Sequence, residues 1–171
     1  MRNLSLPVSL ATLLSVAIAV PSVAAAPAAI VLNDAMGKSV GSATLAEQGG
    51  NLVLSVSVSG LPAGTHGIHI HTVGTCTAPD FASAGGHWNP TAKKHGLQNP
   101  AGHHSGDLPN LVIGADGTGK LTATITGASF AELFDSDGAA LVIHAQPDDM
   151  MTDPSGNSGP RIACGVITPP A

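Results

Sequence analysis

Apolar and polar residues alternate over several short runs of the chain, which is the pattern of strands with one buried face. In one run Leu54, Val56 and Val58 alternate with serines, and in another Leu121 and Ile125 alternate with threonines. Stretches rich in Gly, Pro, Asn and Asp separate these runs and are typical of turns. We therefore predict eight strands, at 28–33, 39–47, 51–59, 66–72, 108–114, 119–127, 139–145 and 161–167.

Helical patterns are nearly absent from the rest of the chain. We predict one short helical turn over Ser129–Phe134, where Ser129 can act as the cap and Glu132 stands three residues later. Eight short strands with little helix predict an all-β fold, an eight-stranded antiparallel Greek-key β-barrel or sandwich. Two long irregular segments, 73–107 and 146–160, connect the strands, and we expect them to carry the function.

The amino-terminal residues have the features of a secretory signal peptide. Arg2 precedes an apolar run that ends in small residues at Ala26, so we predict a signal peptide at 1–26 and one domain at 27–171. The apolar run is too short for a membrane span, and we expect no membrane anchor in the mature chain. The protein is thus expected to be exported, either periplasmic or secreted. Export favours an oxidised state for its two cysteines, which allow one pairing, Cys76 with Cys164.

The composition of the chain argues against some classes of function. The chain has 6 Lys and Arg against 11 Asp and Glu, a formal net charge of −5, and no basic cluster. This balance argues against a nucleic-acid partner. Aromatic residues make up 2% of the chain and tyrosine is absent, so Val, Ile, Leu and Ala must build the core.

The segment 85–107 concentrates residues that bind metals. It contains half of the eight histidines, together with an aspartate: His87, His95, His103, His104 and Asp107. Neutral imidazole nitrogens and carboxylate oxygens are typical zinc ligands. The alternative is a solvated, histidine-rich loop without a ligand.

A second set of histidines lies on predicted strands. His69 and His71 are two residues apart, so they project from the same face of strand 66–72 while the isoleucines beside them face the core. His66 falls on the opposite face from His69, and we interpret it as structural. His144 ends an apolar strand, where a buried polar ring needs a partner and a metal would supply one.

Six segments, in this order along the chain, resemble the copper/zinc superoxide dismutase family. They are Gly67–His71, Gly86–Pro90, Lys94–Gly96, His104–Asp107, Leu141–His144 and Arg161–Ile167. The resemblance implies an oxidoreductase with superoxide as its small-molecule substrate. Superoxide would be converted to dioxygen and hydrogen peroxide by copper redox cycling, beside a structural zinc that shares one histidine with the copper.

The resemblance also assigns the ligands of one copper and one zinc per chain. The implied copper ligands are His69, His71, His87 and His144. The implied zinc ligands are His87, His95, His104 and Asp107. His87 would thus bridge the metals. We choose His104 over its neighbour His103 because the spacing to Asp107 matches the family, and His103 remains the alternative.

Three further roles follow from the same resemblance. Asp148 would link the copper ligand His69 to the zinc ligand His95, and Arg161 would act with His87 in catalysis by holding the anionic substrate. Cys76 and Cys164 would form the family's intrachain disulfide. The 149–159 segment contains no lysine, so the candidates for additional positive charge near the site are Lys93 and Lys94.

Two other functions compete with the dismutase. A non-catalytic relative, such as a copper carrier or a zinc-stabilised module, could share the fold, since fold alone does not determine function. A zinc hydrolase would need an open zinc position and a general base, whereas four side chains are predicted to close this one. The sequence leaves open whether the chain forms a homodimer.

Overall fold

The computed structural model describes residues 26–170 as one antiparallel β-sheet that curls into a nearly closed barrel. The predicted signal peptide lies, except for Ala26, outside the described residues. The sheet order is β4-β6-β7-β3-β2-β1-β9-β8-β5. The strands are β1 Ala28–Asp34, β2 Ser39–Gln48, β3 Asn51–Ser59, β4 Gly64–His66, β5 Ile68–His71, β6 Leu111–Ile113, β7 Thr118–Thr126, β8 Ala140–His144 and β9 Arg161–Val166.

The alternating pattern identifies the inner face of the barrel as expected. In β3, Leu52, Leu54, Val56 and Val58 are buried, while Ser55 and its neighbours on the other face are exposed or partly exposed. The same register continues through the antiparallel pairing of β3 with β2 and β7. The core is accordingly aliphatic, and the all-β antiparallel prediction is confirmed.

The predicted strand 66–72 is wrong in one respect, because it is two strands that meet at Gly67. β4 pairs with β6, whereas β5 pairs with β8 at the opposite end of the sheet order. Gly67 leaves both ladders and donates its N–H to the Gln146 carbonyl. A Cβ at Gly67 would lie 2.8 Å from Ser158 Cβ, so the crossing needs glycine. The described sheet thus has nine strands rather than eight, and its two edge strands are consecutive in the chain.

The remaining elements agree with the prediction except at one boundary. The helical turn is α1, Phe130–Leu133, with Ser129 and Glu132 forming a reciprocal capping box. The strand predicted at 108–114 is shorter in the structure and consists of β6 alone. Pro109 has no N–H to donate to a neighbouring strand, and the side chain of Asn110 bonds to the backbone of Asp148. No helix within residues 26–170 has the length and hydropathy to cross a membrane.

Candidate metal centre

Two adjacent strands carry three of the predicted histidines. His69 and His71 lie on β5, and His144 ends β8, which pairs with β5 in antiparallel register. Ile68 and Ile70 point to the core, as the two-residue period predicts, and are fully buried. Because the two long loops cover the outer face, the histidines are buried as well.

A fourth imidazole completes a cluster made only of histidines. The loop residue His87 reaches β5 through an isolated bridge to His71. One ring nitrogen from each residue of the set lies within 4.8 Å of the others. This set, the all-histidine cluster, consists of His69, His71, His87 and His144.

Hydrogen bonds fix which nitrogen of each ring faces the centre of the all-histidine cluster. His71 donates from Nδ1 to the Gly85 carbonyl at 2.9 Å, and His144 from Nδ1 to the Gly159 carbonyl at 3.1 Å. In the part of the chain that the structure describes, four buried nitrogens have no hydrogen-bond partner: His69 Nδ1, His71 Nε2, His87 Nε2 and His144 Nε2. Buried polar atoms normally have partners. Four converging nitrogen donors without thiolate fit a copper ion.

The protonation of these rings also suits a metal. Burial lowers the pKa of His69 to about 3, of His71 to about 2 and of His144 to about 4. These three rings are therefore neutral at neutral pH. Neutral imidazole is the form that binds metals.

A second cluster is centred on one carboxylate oxygen. Asp107 Oδ1 lies 2.8 Å from His87 Nδ1, 3.0 Å from His95 Nδ1 and 3.3 Å from His104 Nδ1. Ligand atoms about 2.0 Å from a tetrahedral zinc are about 3.3 Å from one another. The Asp107 cluster, which consists of His87, His95, His104 and Asp107, therefore has the ligand types and approximate spacing of a closed zinc site.

Backbone groups and a second carboxylate hold the Asp107 cluster. Asp107 Oδ2 accepts the N–H groups of Gly96 and His104 at 2.8 and 2.9 Å. Burial opposes ionisation of Asp107, but hydrogen bonds from His87 and His95 outweigh it and hold its pKa far below the usual range. Burial likewise opposes a charge on His95, yet Asp107 and Asp148 raise its pKa to about 9.

Asp148 lies between the two clusters. Its Oδ2 accepts from His69 Nε2 at 2.7 Å and its Oδ1 from His95 Nε2 at 3.0 Å, and both rings are fully buried. A Cβ at Gly156 would overlap Asp148 Oδ1 and lie 2.7 Å from His95 Nε2. The loop backbone therefore packs directly on this link and shields it from water.

A cleft of about 300 Å³ reaches both clusters from the surface. Its lining includes His71, His87, His104, His144 and Arg161. The guanidinium of Arg161 donates to the carbonyls of Phe81 and Gly85, the latter at 2.6 Å. The Gly85 carbonyl also accepts from His71, so one backbone group positions both side chains.

The disulfide holds the loop that positions Arg161. Cys76 and Cys164 are bonded, with their Cα atoms 5.7 Å apart, which confirms the predicted pairing. Cys164 lies on β9, three residues after Arg161. Phe81 and Ala84 pack with Cys164 in a small apolar cluster. The segment that presents its carbonyls to Arg161 is thus anchored to the barrel.

Every residue predicted for the site lies at or beside these clusters, and the two histidines left out of it lie elsewhere. His103 is exposed and contacts the His104 carbonyl, so His104 is the one in the Asp107 cluster. His66 is buried between the carbonyls of Pro62 and His144, in line with a structural role.

Three residues around the clusters were not predicted from the sequence: Asn110, Asp153 and Gly156. Asp153 accepts the His95 N–H at 2.8 Å and the ammonium of Lys94 at 2.7 Å. All three act through contacts between segments distant in sequence. The only available signal in the sequence was the position of Asn110 three residues after Asp107.

Comparisons with known proteins agree with this geometry. The family model for copper/zinc superoxide dismutase (SODC) matches residues 39–167. The superoxide dismutase-like protein YojM of Bacillus subtilis is 45% identical over 138 residues, which cover 77% of this chain and 70% of that protein. Cu-Zn superoxide dismutase 1 of Aquifex aeolicus is 42% identical over 137 residues, covering 77% and 81%.

Solved structures share the fold as well. The crystal structure of a double mutant of a SOD-like protein from Bacillus subtilis superposes with a TM-score of 0.78 at 44% identity. The match covers 82% of this chain and 96% of that one. The similarity therefore extends over most of the domain that the structure describes.

Proposed function

The chain belongs to the copper/zinc superoxide dismutase family, and we therefore propose that it converts superoxide to dioxygen and hydrogen peroxide with one copper and one zinc bound. The family is one of oxidoreductases that use both metals. The observation that carries the proposal is the convergence of four buried imidazole nitrogens that have no hydrogen-bond partner within residues 26–170.

We assign copper to the all-histidine cluster and zinc to the Asp107 cluster. Copper supplies one-electron redox chemistry when bound, and nitrogen ligands without thiolate accommodate both of its common oxidation states. Zinc has no redox chemistry, and a closed set of three imidazoles and a carboxylate is typical of structural zinc. The zinc ligands then stabilise the loop that carries His87.

His87 is proposed to bridge the metals. Its Nδ1 faces Asp107, and its Nε2 is one of the unpartnered nitrogens of the all-histidine cluster. A ring bound at both nitrogens must be imidazolate. His87 also lines the cleft, so its Nε2 could take up a proton there whenever it is not bound to copper, and we assign it proton delivery to the reduced substrate.

Arg161 is proposed to bind superoxide. It is the one cationic side chain that lines the cleft, among the residues that the structure describes. The chain as a whole is negative and so is the substrate, so a local positive group is needed to attract it. Two carbonyls hold the guanidinium beside His71, which fixes it close to the all-histidine cluster.

Metal analysis combined with a superoxide-consumption assay tests the function. We expect one copper and one zinc per chain and rapid turnover. Arg161→Ala should retain both metals but lower the second-order rate on the order of tenfold, the equivalent of one charge-assisted contact. Salt screens exposed charges within about 10 Å at 0.1 M, so the wild-type rate should fall as salt rises. The rate of Arg161→Ala should fall less, because the attraction that salt weakens has been removed.

Lys94→Ala is the matched control for loss of a positive charge. Lys94 lies 2.7 Å from Asp153, so its charge is already offset and the rate should hardly change. Lys93→Ala should also have a smaller effect than Arg161→Ala. Binding of both metals without superoxide consumption would reject the dismutase and favour a metal-binding module. A wild-type rate in Arg161→Ala would reject its role.

We further propose that the protein is exported and functions in a periplasmic or extracellular space. The signal-peptide pattern at 1–26 and the disulfide in the described domain support this. Amino-terminal sequencing of the protein from fractionated cells is the test. A chain beginning near Pro27 in the exported fraction is expected, and an intact Met1 terminus in the cytoplasmic fraction would contradict it.

A further inference from the structure

Asn110 holds the backbone of Asp148 at two points. Its side-chain Nδ2 donates to the Asp148 carbonyl at 2.9 Å, and its Oδ1 accepts the Asp148 N–H at 2.9 Å. The carboxamide thus pairs with the backbone of a residue 38 positions away. If the carboxamide were flipped, its Nδ2 would face the Asp148 N–H and its Oδ1 would face the Asp148 carbonyl. Neither hydrogen bond could then form, so only the observed orientation makes both.

The two sides of this contact differ in how they are anchored. Asn110 follows the buried Leu108 and precedes Leu111, which is fully buried and begins β6. Asp148 lies outside any strand, in the long 146–160 segment. Asn110 therefore connects the barrel frame to the loop at the residue that links the clusters.

The position of the Asp148 backbone determines what its carboxylate can reach. The two oxygens must meet His69 Nε2 from one cluster and His95 Nε2 from the other. With Nε2 held there, each ring presents Nδ1 to its cluster. His69 Nδ1 is one of the unpartnered nitrogens, and His95 Nδ1 lies 3.0 Å from Asp107 Oδ1.

We propose that Asn110 is a positioning residue that sets the Asp148 carboxylate between His69 and His95, so that both rings direct Nδ1 to the metals. The inference rests on the proposed metal ligands and adds a residue that acts on them through Asp148. Groups one step beyond a metal ligand orient it, and their loss commonly costs about 10- to 100-fold in metal affinity.

The chain provides a closely matched control. Asn89 makes the same two-point contact with the backbone of Lys93, donating to its carbonyl at 2.9 Å and accepting its N–H at 3.0 Å. Both asparagines are partly buried. Asn89→Ala and Asn110→Ala thus remove hydrogen bonds of the same type and similar length, although those of Asn89 are more exposed and more local, and only Asn110→Ala releases Asp148.

The first measurement is nuclear magnetic resonance of the histidine rings in the full, metal-free protein. In the wild type, the Nε2 protons of His69 and His95 should exchange slowly with water, since both face Asp148 in a buried site. Asn110→Ala should accelerate the exchange of both by at least about tenfold. Asn89→Ala should leave both unchanged. Wild-type exchange in Asn110→Ala would overturn the proposal.

The second measurement is zinc affinity, by competition with a chelator, in a double-mutant cycle. Asn110→Ala should weaken zinc binding about tenfold. In the Asp148→Ala background, where no carboxylate remains to be placed, the same substitution should have no further effect. Equal losses in both backgrounds would show a general structural role and overturn the proposal.

Asn110→Asp serves if the alanine variant does not fold. It keeps the side-chain size and the acceptor for the Asp148 N–H but loses the donor to the Asp148 carbonyl. Exchange of the Nε2 protons should therefore again be faster, and zinc binding again weaker, than in the wild type. Neither measurement uses superoxide. A failure of the dismutase function is therefore distinguishable from a failure of this inference.

Discussion

The all-histidine cluster and the Asp107 cluster share His87 but are held in different ways. Strands β5 and β8 supply three rings of the first, and backbone carbonyls fix two of them. The second cluster is built on a loop, where the rings of His95 and His104 gather around the carboxylate of Asp107. No carboxylate belongs to the first set, and one carboxylate centres the second.

This difference suits the two metals. Three neutral rings on paired strands, those of His69, His71 and His144, offer fixed positions for the proposed copper, whose charge would change during turnover. A cluster centred on a carboxylate can offset the charge of an ion that never changes it, and binding of that ion orders the loop. Asp148 and His87 are the two side chains that join the clusters, so they are where the contrast can be tested.

The largest effect is expected for His87→Ala. His87 is the one residue in both clusters, so its loss removes a donor from each. We expect turnover to fall more than about 100-fold and zinc affinity to fall as well, with some zinc retained by the remaining Asp107 cluster. Metal analysis after dialysis, with superoxide consumption, measures both.

Two single-cluster variants are its controls. His144→Ala should reduce copper binding and leave zinc, whereas Asp107→Ala should release zinc and lower the melting temperature while copper still binds. Unchanged zinc content and melting in Asp107→Ala would show that the zinc assignment is wrong. Wild-type turnover in His87→Ala would remove the bridge.

Gly156→Ala should break the link between the clusters without removing a ligand. The added methyl group would overlap Asp148 and crowd His95, so the carboxylate must move. We expect metal affinity to fall about 10- to 100-fold and the free energy of unfolding to fall by about 1–3 kcal/mol. Chelator competition and denaturant titration measure these changes.

Gly127→Ala separates the steric effect from the conformational one. Gly127 has a φ of +68°, close to the +62° of Gly156, but no atom lies within 4 Å of a Cβ there. It should lose stability by about 1 kcal/mol without loss of metal affinity. Similar metal affinities in the two variants would mean that Gly156 does not act through Asp148.

A smaller effect is expected in the pH dependence of zinc binding. Because Asp107 and Asp148 raise the pKa of His95 to about 9, this ring is protonated at neutral pH in the metal-free protein. Zinc must displace that proton, so its affinity should increase with pH, by about tenfold per unit, and level off near pH 9. The neutral rings of His69, His71 and His144 contribute no such proton.

Asp148→Asn is the control for this pH dependence. It removes one of the two carboxylates that hold the proton on His95, so the increase should level off at a lower pH. Titration of zinc affinity in both proteins, from near-neutral pH to just above the pKa of His95, provides the comparison. A zinc affinity that stays constant over that range in the wild type would contradict the two-carboxylate environment of His95.

Much of the fold could be predicted because one face of most strands is exposed. Serines and threonines mark that face in β3 and β7, so the period of two is visible in the sequence. The break at Gly67 was not visible, since every residue from His66 to His71 is buried and polarity does not alternate with exposure there. In a stretch that is buried throughout, a change of partner strand does not alter the pattern of apolar and polar residues.

The candidate site, like the fold, could be predicted only in part. The spacing of His69 and His71 and the family motifs indicated which side chains to consider, and the structure brings them together. The two-point contact of Asn110 could not be predicted, because it joins a side chain to a backbone 38 residues away. The fit of Gly156 could not be predicted either, because it also involves His95, 61 residues earlier, and several other glycines of the chain lie in open turns.

Anomalous X-ray diffraction from crystals of the metal-loaded protein, recorded at the copper and zinc absorption edges, tests the central claim most directly. We predict two anomalous peaks, copper among His69, His71, His87 and His144 and zinc among His87, His95, His104 and Asp107. His87 should bind one metal through each ring nitrogen. A single metal position, or two metals of which only one contacts His87, would contradict the account.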